Sequence, residues 1–335
     1  MTIEQRIKAL SLLGKRLQTL GEYDMEIIIQ KAKSENPWFT DTNIKMAWTG
    51  ILKFLNASAL QDWASEYDFS QVKAKTIAVV MAGNIPLVGF HDFLCVLISG
   101  HSIQIKLSSK DSVLIHYMAS NLIEIEPEFA SRISFTERLK DFDAVIATGS
   151  DNSSRYFDYY FGKYPNIIRK NRTSCAILTG DETEDDFRKL GIDIFSYFGL
   201  GCRNVSKIFV PKDYSFSDFF GSLEIFQPII NHHKYCNNYD YQKSIMLVNG
   251  VKFLDNGFLM LTEDGRTVSP ISVIYYETYT DLVNLNDKLA TVEDKLQCIV
   301  GKIYPATLAL GQAQYPELRD YADQIDTLQF LSDLR

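Results

Sequence analysis

The sequence predicts an α/β protein with a parallel sheet, led by an N-terminal helical segment. Three observations carry this expectation. From Lys75 onward, short β-rich runs alternate with helical patterns, and each early run closes on Gly or small polar residues. Before Lys75 the apolar residues recur at helical steps, with no such runs. The chain has 335 residues, more than one hydrophobic core usually spans, so two α/β units are expected after the helices.

Taken in order, Ile3, Ile7, Leu10, Leu13, Leu17 and Leu20 define an amphipathic helix over 1–20, with Arg6, Lys8, Lys15 and Arg16 on its polar face. Glu4 and the modest basic charge favour a packed helix over a membrane-surface one. Residues 22–73 continue helical, with a second amphipathic stretch from Asn43 to Asn56. The first strand is Thr76–Met81, followed by a helix over Val88–Ser99 and strands at Ser102–Ile105, Ala144–Ala147 and Cys175–Leu178. In a parallel sheet ligands bind beyond the carboxyl ends of the strands, and all four of these ends carry small polar residues. A second unit is expected from Asp181, where Asp181, Glu182, Glu184, Asp185 and Asp186 suit a helix N-terminus. Its strands are expected at Lys207–Val210 (stopped by Pro211), Ile245–Val248, Ser272–Tyr276 and Leu296–Val300, with the tail Asp320–Leu334 packed on them. The organisation is thus a helical segment over 1–74 and α/β units over 75–180 and 181–335.

Composition narrows the function. A net charge of −8 repels phosphate backbones and argues against coating nucleic acid. No apolar run reaches the roughly 18 residues of a membrane span, and residues 1–20 lack a signal-peptide core. Five widely spaced cysteines encode neither a disulfide framework nor a zinc ribbon, and the His232-His233-x-x-Cys236 cluster lacks a fourth ligand. The expectation is a soluble, cytoplasmic protein in a reducing compartment. With 21 Phe, 18 Tyr and 3 Trp, the chain has aromatics to line an apolar cavity or fill a core, and Tyr235, Tyr239, Tyr241, Tyr275 and Tyr276 are open to either use.

Four segments can carry chemistry. Cys202 lies in Gly199-Leu-Gly-Cys-Arg-Asn204, where a substrate can approach closely. A helix starting just after it would favour the thiolate and an adjacent oxyanion. On local sequence alone, a buried inert thiol is the commoner state of a free cysteine. Asn84, in Ala82-Gly-Asn-Ile-Pro86, offers a neutral amide donor at a strand end, or a plain turn. Lys106-Leu-Ser-Ser-Lys110 offers two cations and the hydroxyls of Ser108 and Ser109 to a ribose and its 2′-phosphate; a solvated loop is the alternative. Thr148-Gly149-Ser150 suits a pyrophosphate at a helix start. There is no G-x-S-x-G elbow of an α/β-hydrolase.

In this order, AGNIP (82–86), IKLSSKD (105–111), ATGSD (147–151), ILTGDE (177–182) and FGLGCRN (198–204) resemble the aldehyde dehydrogenase superfamily, and within it the long-chain acyl-CoA reductase (LuxC-like) branch. Gly311-Gln-Ala-Gln-Tyr-Pro316 and Asp323 also look like this branch. The resemblance runs from about Lys75 to the C-terminus. It implies an aldehyde-dehydrogenase-like fold, with a Rossmann-type nucleotide-binding domain over 75–180 and an α/β catalytic domain over 181–335.

The resemblance also implies roles. Cys202 falls on the nucleophile, and Asn84 on the amide that completes the oxyanion hole with the Cys backbone N–H. Lys106 falls on the ribose-binding lysine, with Ser108 and Ser109 in the same loop. Gly149 and Ser150 fall on the turn that meets the cofactor phosphates. Hydrolytic relatives carry a Glu-Leu-Gly-Gly motif; the corresponding stretch is taken as Ile177-Leu-Thr-Gly180, with Glu182 displaced. Without that base the implied reaction is NADPH-dependent reduction of an acyl-CoA or acyl-carrier thioester to a fatty aldehyde through an acyl-Cys202 intermediate. The alternatives are an aldehyde-oxidising dehydrogenase using Glu182 or Glu277, and a non-catalytic binding subunit of the same fold. A homo-oligomer is implied too, although no stretch matches the extended oligomerisation hairpin.

Overall fold

The computed structural model describes residues 1–149 and 151–334, with no account of the side chains of 151–153. It consists of two compact units, 1–171 with 316–335, and 172–315.

The first unit opens with four helices: α1 (Ile3–Gln18), α2 (Glu22–Glu35), α3 (Asp41–Phe54) and α4 (Ala57–Ala64). Each start has a local cause. Thr2 and Gln5 form a capping box on α1, Thr40 caps α3 through Asn43 N, and Asn56 caps α4. The apolar stripe Leu10, Leu13, Leu17 is buried as its spacing predicts. Arg6 departs from the expected polar face. It is buried, and its Nε donates to Ile98 O at 2.8 Å, so it ties α1 to the helix before the second strand.

The α/β part follows as β1 (Thr76–Val80), α5 (Phe90–Ser99), β2 (Ser102–Lys106), α6 (Val113–Ile125), β3 (Ile133–Phe135), β4 (Ala144–Thr148), α7 (Asp151–Phe161) and β5 (Asn166–Arg169). These five strands form a parallel sheet in the order β3-β2-β1-β4-β5. β1 is therefore the strand at which the order reverses, the place where ligands bind in doubly wound sheets.

The second unit holds β6 (Thr173–Ile177), α8 (Glu184–Phe195), β7 (Val205–Pro211), α9 (Ser217–Leu223), α10 (His233–Val248), β8 (Leu254–Asp255), β9 (Met260–Glu263), β10 (Val273–Tyr279), α11 (Leu282–Ala290) and β11 (Leu296–Gly301). Its sheet runs β11-β6-β7-β10-β9-β8, parallel except for the antiparallel edge strand β8. Thr183 caps α8 with a capping box to Asp186, as the acidic run anticipates.

Three expectations are corrected. The strand containing Cys175 pairs with β7 and β11, so it opens the second sheet rather than closing the first, and the division falls at 171/172 instead of 180/181. Ile245–Val248 is the last turn of α10, not a strand: no Gly or Pro interrupts residues 233–248, so the helix continues until Asn249-Gly250. The tail forms α12 (Thr327–Ser332), which packs on α5 in the first unit rather than on the second sheet. Tyr321 anchors it there by accepting from Trp63 Nε1 at 2.8 Å.

Candidate active site

In the first unit, the loops after β1, β2 and β4 meet at the carboxyl edge of the sheet. The loop after β1 carries Asn84, whose side chain is exposed. Three contacts fix this loop. Gly83 O accepts from the buried Asn36 amide at 3.1 Å, and Leu87 N donates to Asp111 Oδ2 at 2.8 Å. A Cβ on Gly83 would stand 2.6 Å from Ser108 Oγ and 2.8 Å from its Cβ, so only glycine lets the AGN and LSS loops come this close. The structure thus brings the Asn84 loop and the Lys106–Ser109 loop together. Leu87 itself sits at φ 59°, a strained value for a branched side chain, held by the buried Asp111.

A cavity of about 640 Å³ opens beside the second loop, lined by Leu107, Ser108, Ser109, Ser112 and, among others, a ring pair. His116 and Phe135 stack there with centroids 4.0 Å apart, a flat wall suited to a planar base. Two carboxylates also line it. Glu35 is committed: it accepts from Ser112 N and Val113 N at 3.0 Å each and from the Ser112 hydroxyl, closing the N-terminus of α6, and these donors hold its carboxyl below the usual range against burial. Glu137 lines the same cavity. Lys106 and Lys110 are exposed and are not among its lining residues.

At the end of β4, Gly149 follows Thr148 and precedes α7, the strand–turn–helix arrangement that suits a phosphate. Ser150 lies outside the described residues. Beneath this turn sits a residue that sequence reasoning missed. Arg169, buried at the end of β5, donates to Asp92 on α5, to Thr148 Oγ1 at 3.4 Å and to Thr327 Oγ1 at 2.9 Å, tying the turn to α5 and α12.

In the second unit, Cys202 is half-buried on a turn between α8 and β7. No helix starts after it, so the helix-terminus condition for favouring the thiolate is not met; Asn204 leads straight into β7, which contains the strand expected at Lys207–Val210. The turn is instead built from a run of left-handed backbone, with φ 51° at Tyr197, 58° at Phe198 and 76° at Gly199. Two consecutive aromatic residues in that region are costly and persist only where their surroundings dictate it. Asn204 supplies much of that constraint. Its amide nitrogen donates to Asp193 O, Ile194 O and Ser196 O at 3.0, 3.3 and 2.8 Å, and its oxygen accepts from Gly201 N at 2.8 Å. Ser174 Oγ, on β6, donates to Cys202 O at 3.1 Å.

The segment after β11 closes over this turn. Asp193, fully buried, accepts from Gly311 N at 2.6 Å and Ala313 N at 3.0 Å. Burial raises its carboxyl to about 6, against the pull of those two N–H groups and of Arg203. Arg203 Nε donates to Ala313 O, and Gln314 Nε2 donates to Arg203 O at 3.1 Å.

The two carboxylates proposed as a relocated base are occupied elsewhere. Ile177-Leu-Thr-Gly180 lies at the carboxyl end of β6, whereas the Cys202 turn meets Ser174 near its start, about 10 Å away along three extended residues. At the far end Glu182 accepts from Thr179 N and Gly180 N. Glu277 is ion-paired with Lys207 and Lys288, and despite the opposing effect of burial its carboxyl is held below the usual range. Such a group is a poor proton acceptor. The tyrosines, too, divide: Tyr235, Tyr239 and Tyr275 are core, while Tyr241 is exposed.

Comparison with known proteins places these features in a family. A family model for acyl-CoA reductases (LuxC) matches residues 17–217, which include Asn84, Lys106 and Cys202. No curated protein matches in sequence. Among solved structures, aldehyde dehydrogenase 21 from Physcomitrella patens, in complex with the product succinate, superposes with a TM-score of 0.70 at 13% identity, over 99% of this chain and 84% of its own. An NADP-dependent enzyme of E. coli gives 0.68 at 11% identity, over 93% and 76%. An aldehyde dehydrogenase C variant from Pseudomonas syringae, complexed with NAD+ and octanal, gives 0.66 at 11% identity, over 91% and 73%. The fold is that of the aldehyde dehydrogenases, and this chain belongs to the LuxC family of acyl-CoA reductases.

Proposed function

We propose that the protein reduces an acyl thioester, on coenzyme A or a carrier, to a fatty aldehyde through an acyl-Cys202 intermediate, with NADPH as reductant. The observation that carries this reading is the strained, heavily braced turn that presents Cys202 in a chain of the LuxC family. Cys202, as thiolate, attacks the thioester carbonyl, and the departing thiol leaves the acyl group on sulfur. Asn84 is assigned the amide donor to the oxyanion formed in that step, together with the Cys202 backbone N–H. Glu182 and Glu277 are engaged elsewhere, and Asp193 has both oxygens occupied, which favours transfer between thiols over hydrolysis to a free acid.

The first unit fits a nicotinamide dinucleotide. The His116–Phe135 wall suits the adenine and Ser108 and Ser109 suit the ribose, with Lys106 assigned to the same sugar and Gly149 and Ser150 to the pyrophosphate. Two of the similar structures are described with NADP or NAD+. When bound, the cofactor supplies the hydride that carries the acyl group to the aldehyde level. NADPH is favoured because the hydroxyl-rich loop carries Lys106 and Lys110, and because Glu35 is spent on the α6 N-terminus. A cytoplasmic location accords with the thiol chemistry, and no described helix is long and apolar enough to cross a membrane.

The test is incubation with a radiolabelled long-chain acyl-CoA, then NADPH. Label is expected on Cys202 and is expected to leave as aldehyde only after NADPH is added. Labelling that persists in Cys202→Ala, or release as free acid, would sink the proposal.

A further inference from the structure

We infer that Gly311–Gln314 is a positioning element for Cys202, with Gln314 as the side chain that holds the nucleophile turn from outside. The inference rests on Cys202 being the nucleophile, as proposed above. The segment follows the last strand of the second sheet and has no strand or helix of its own to stabilise it. Its polar groups nonetheless converge on the Cys202 turn. Gly311 N and Ala313 N take the two oxygens of Asp193; Ala313 O takes Arg203 Nε; Gln314 Nε2 takes Arg203 O and reaches Asp193 O at 3.5 Å. Gly311 is the pivot. At φ 82° it turns the segment, and a Cβ there would lie 2.9 Å from Lys189 Cβ on α8.

The bonds form one circuit. Asn204 braces the turn from inside through the carbonyls of Asp193, Ile194 and Ser196. Gln314 binds the carbonyl of the residue directly after Cys202, on the opposite side of the nucleophile from Gly201, which Asn204 already holds. The Leu200–Gly201 and Arg203–Asn204 peptide units, one step out on either side of Cys202, are thus each held by an amide side chain, and rotation of the turn breaks one of them. The strain at Tyr197 and Phe198 is held in place by this circuit. Gln312, two residues earlier, is exposed, so the two glutamines of one short segment provide a matched test and control.

The experiment uses the full-length protein and two variants close in size to glutamine that lack its amide, Gln314→Met and Gln312→Met. The readout is the second-order rate of Cys202 alkylation by iodoacetamide, with the modified peptide identified by mass and no acyl donor present. Gln314→Met is expected to slow alkylation at least fivefold and to lower kcat more than KM, with the NADPH Kd within twofold of wild type. Gln312→Met is expected to match wild type. A wild-type alkylation rate in Gln314→Met, or an equal fall in Gln312→Met, overturns the inference. So does a fall accompanied by lost cofactor binding, which marks general damage. If Gln314→Met does not fold, Gln314→Glu removes the same donors at the same length and is read the same way. A protein whose alkylation responds as expected, yet which accepts no acyl group from any thioester, keeps the positioning element and loses the function proposed above.

Discussion

The turn of Cys202 and the loop of Asn84 are each anchored by one buried aspartate, and the two anchors differ in how fully they are satisfied. Asp193 receives two backbone N–H groups, one on each oxygen, with Arg203 adding favourable charge. Asp111 receives one, from Leu87 N; its Oδ1 is buried with no partner, and Glu35 adds unfavourable charge. Burial raises both carboxyls, Asp193 to about 6 and Asp111 to about 7. Desolvation dominates at both, and the donors and, at Asp193, the neighbouring arginine recover part of it. The aspartate behind the Cys202 turn is therefore bonded on both oxygens, whereas the one behind the Asn84 loop is bonded on one.

The comparison can be broken in several ways. The largest effect is expected in catalysis: Asn84→Ala should lower turnover about a hundredfold, the cost of one oxyanion donor, with cofactor binding intact. Unchanged steady-state activity would remove Asn84 from the reaction. Next, the two aspartates should answer the same substitution to different extents. In Asp193→Asn the amide nitrogen faces one of the two N–H groups whichever way it turns, so a buried donor is stranded at about 2 kcal/mol. At pH 8 that loss offsets the relief of the buried charge, so urea unfolding should show less gain for Asp193→Asn than for Asp111→Asn, and an equal gain would mean the Gly311 and Ala313 bonds carry little. In Asp111→Asn the acceptor for Leu87 N is kept and the buried charge is removed. Stability at pH 8 should rise by at least about 1 kcal/mol, one pKa unit's worth.

The pH dependence sharpens this point. A carboxyl whose pKa is raised on folding contributes stability in full below its unfolded value, near 4, and that contribution is lost as pH rises through the folded value. For Asp111 the loss runs from about pH 4 to about 7, and for Asp193 from about 4 to about 6. Unfolding curves across pH 4–8 should flatten in Asp111→Asn; an unaltered slope would refute the raised carboxyl. The smallest effect is expected at the cavity beside the Asn84 loop. Glu137→Gln should tighten NADPH several-fold and leave NADH nearly unchanged, as titration calorimetry would show, because a carboxylate repels a 2′-phosphate and not a diol.

Much of the frame was legible in the residues. The runs at 76–81, 102–105 and 144–147 are strands because β-branched residues alternate with turn chemistry, and Thr183 with Asp186 starts a helix by a purely local bond pattern. Ile245–Val248 shows the limit of such reading. Its four apolar residues suit a strand, but the unbroken stretch before them propagates as helix, and Leu247 and Val248 end up exposed. Asp193 did leave a signal: a carboxylate among Leu190 and Ile194, inside the apolar stripe of α8, needs buried partners. Which partners, the spacing does not say, because they come from 118 and 120 residues away.

By itself the sequence determined the strands β1, β2, β4, β6, β7, β10 and β11, the glycine-flanked cysteine and the loops at the strand ends, all of which depend on neighbours within a few residues. Only the tertiary structure decided that β6 opens the second sheet, that the tail returns to the first unit, that Ile177–Gly180 lies at the opposite end of β6 from the Cys202 turn, and that Gln314 and Asp193 hold that turn. Each of those outcomes depends on pairing between distant segments, where buried N–H groups and carboxylates must find partners wherever the fold brings them.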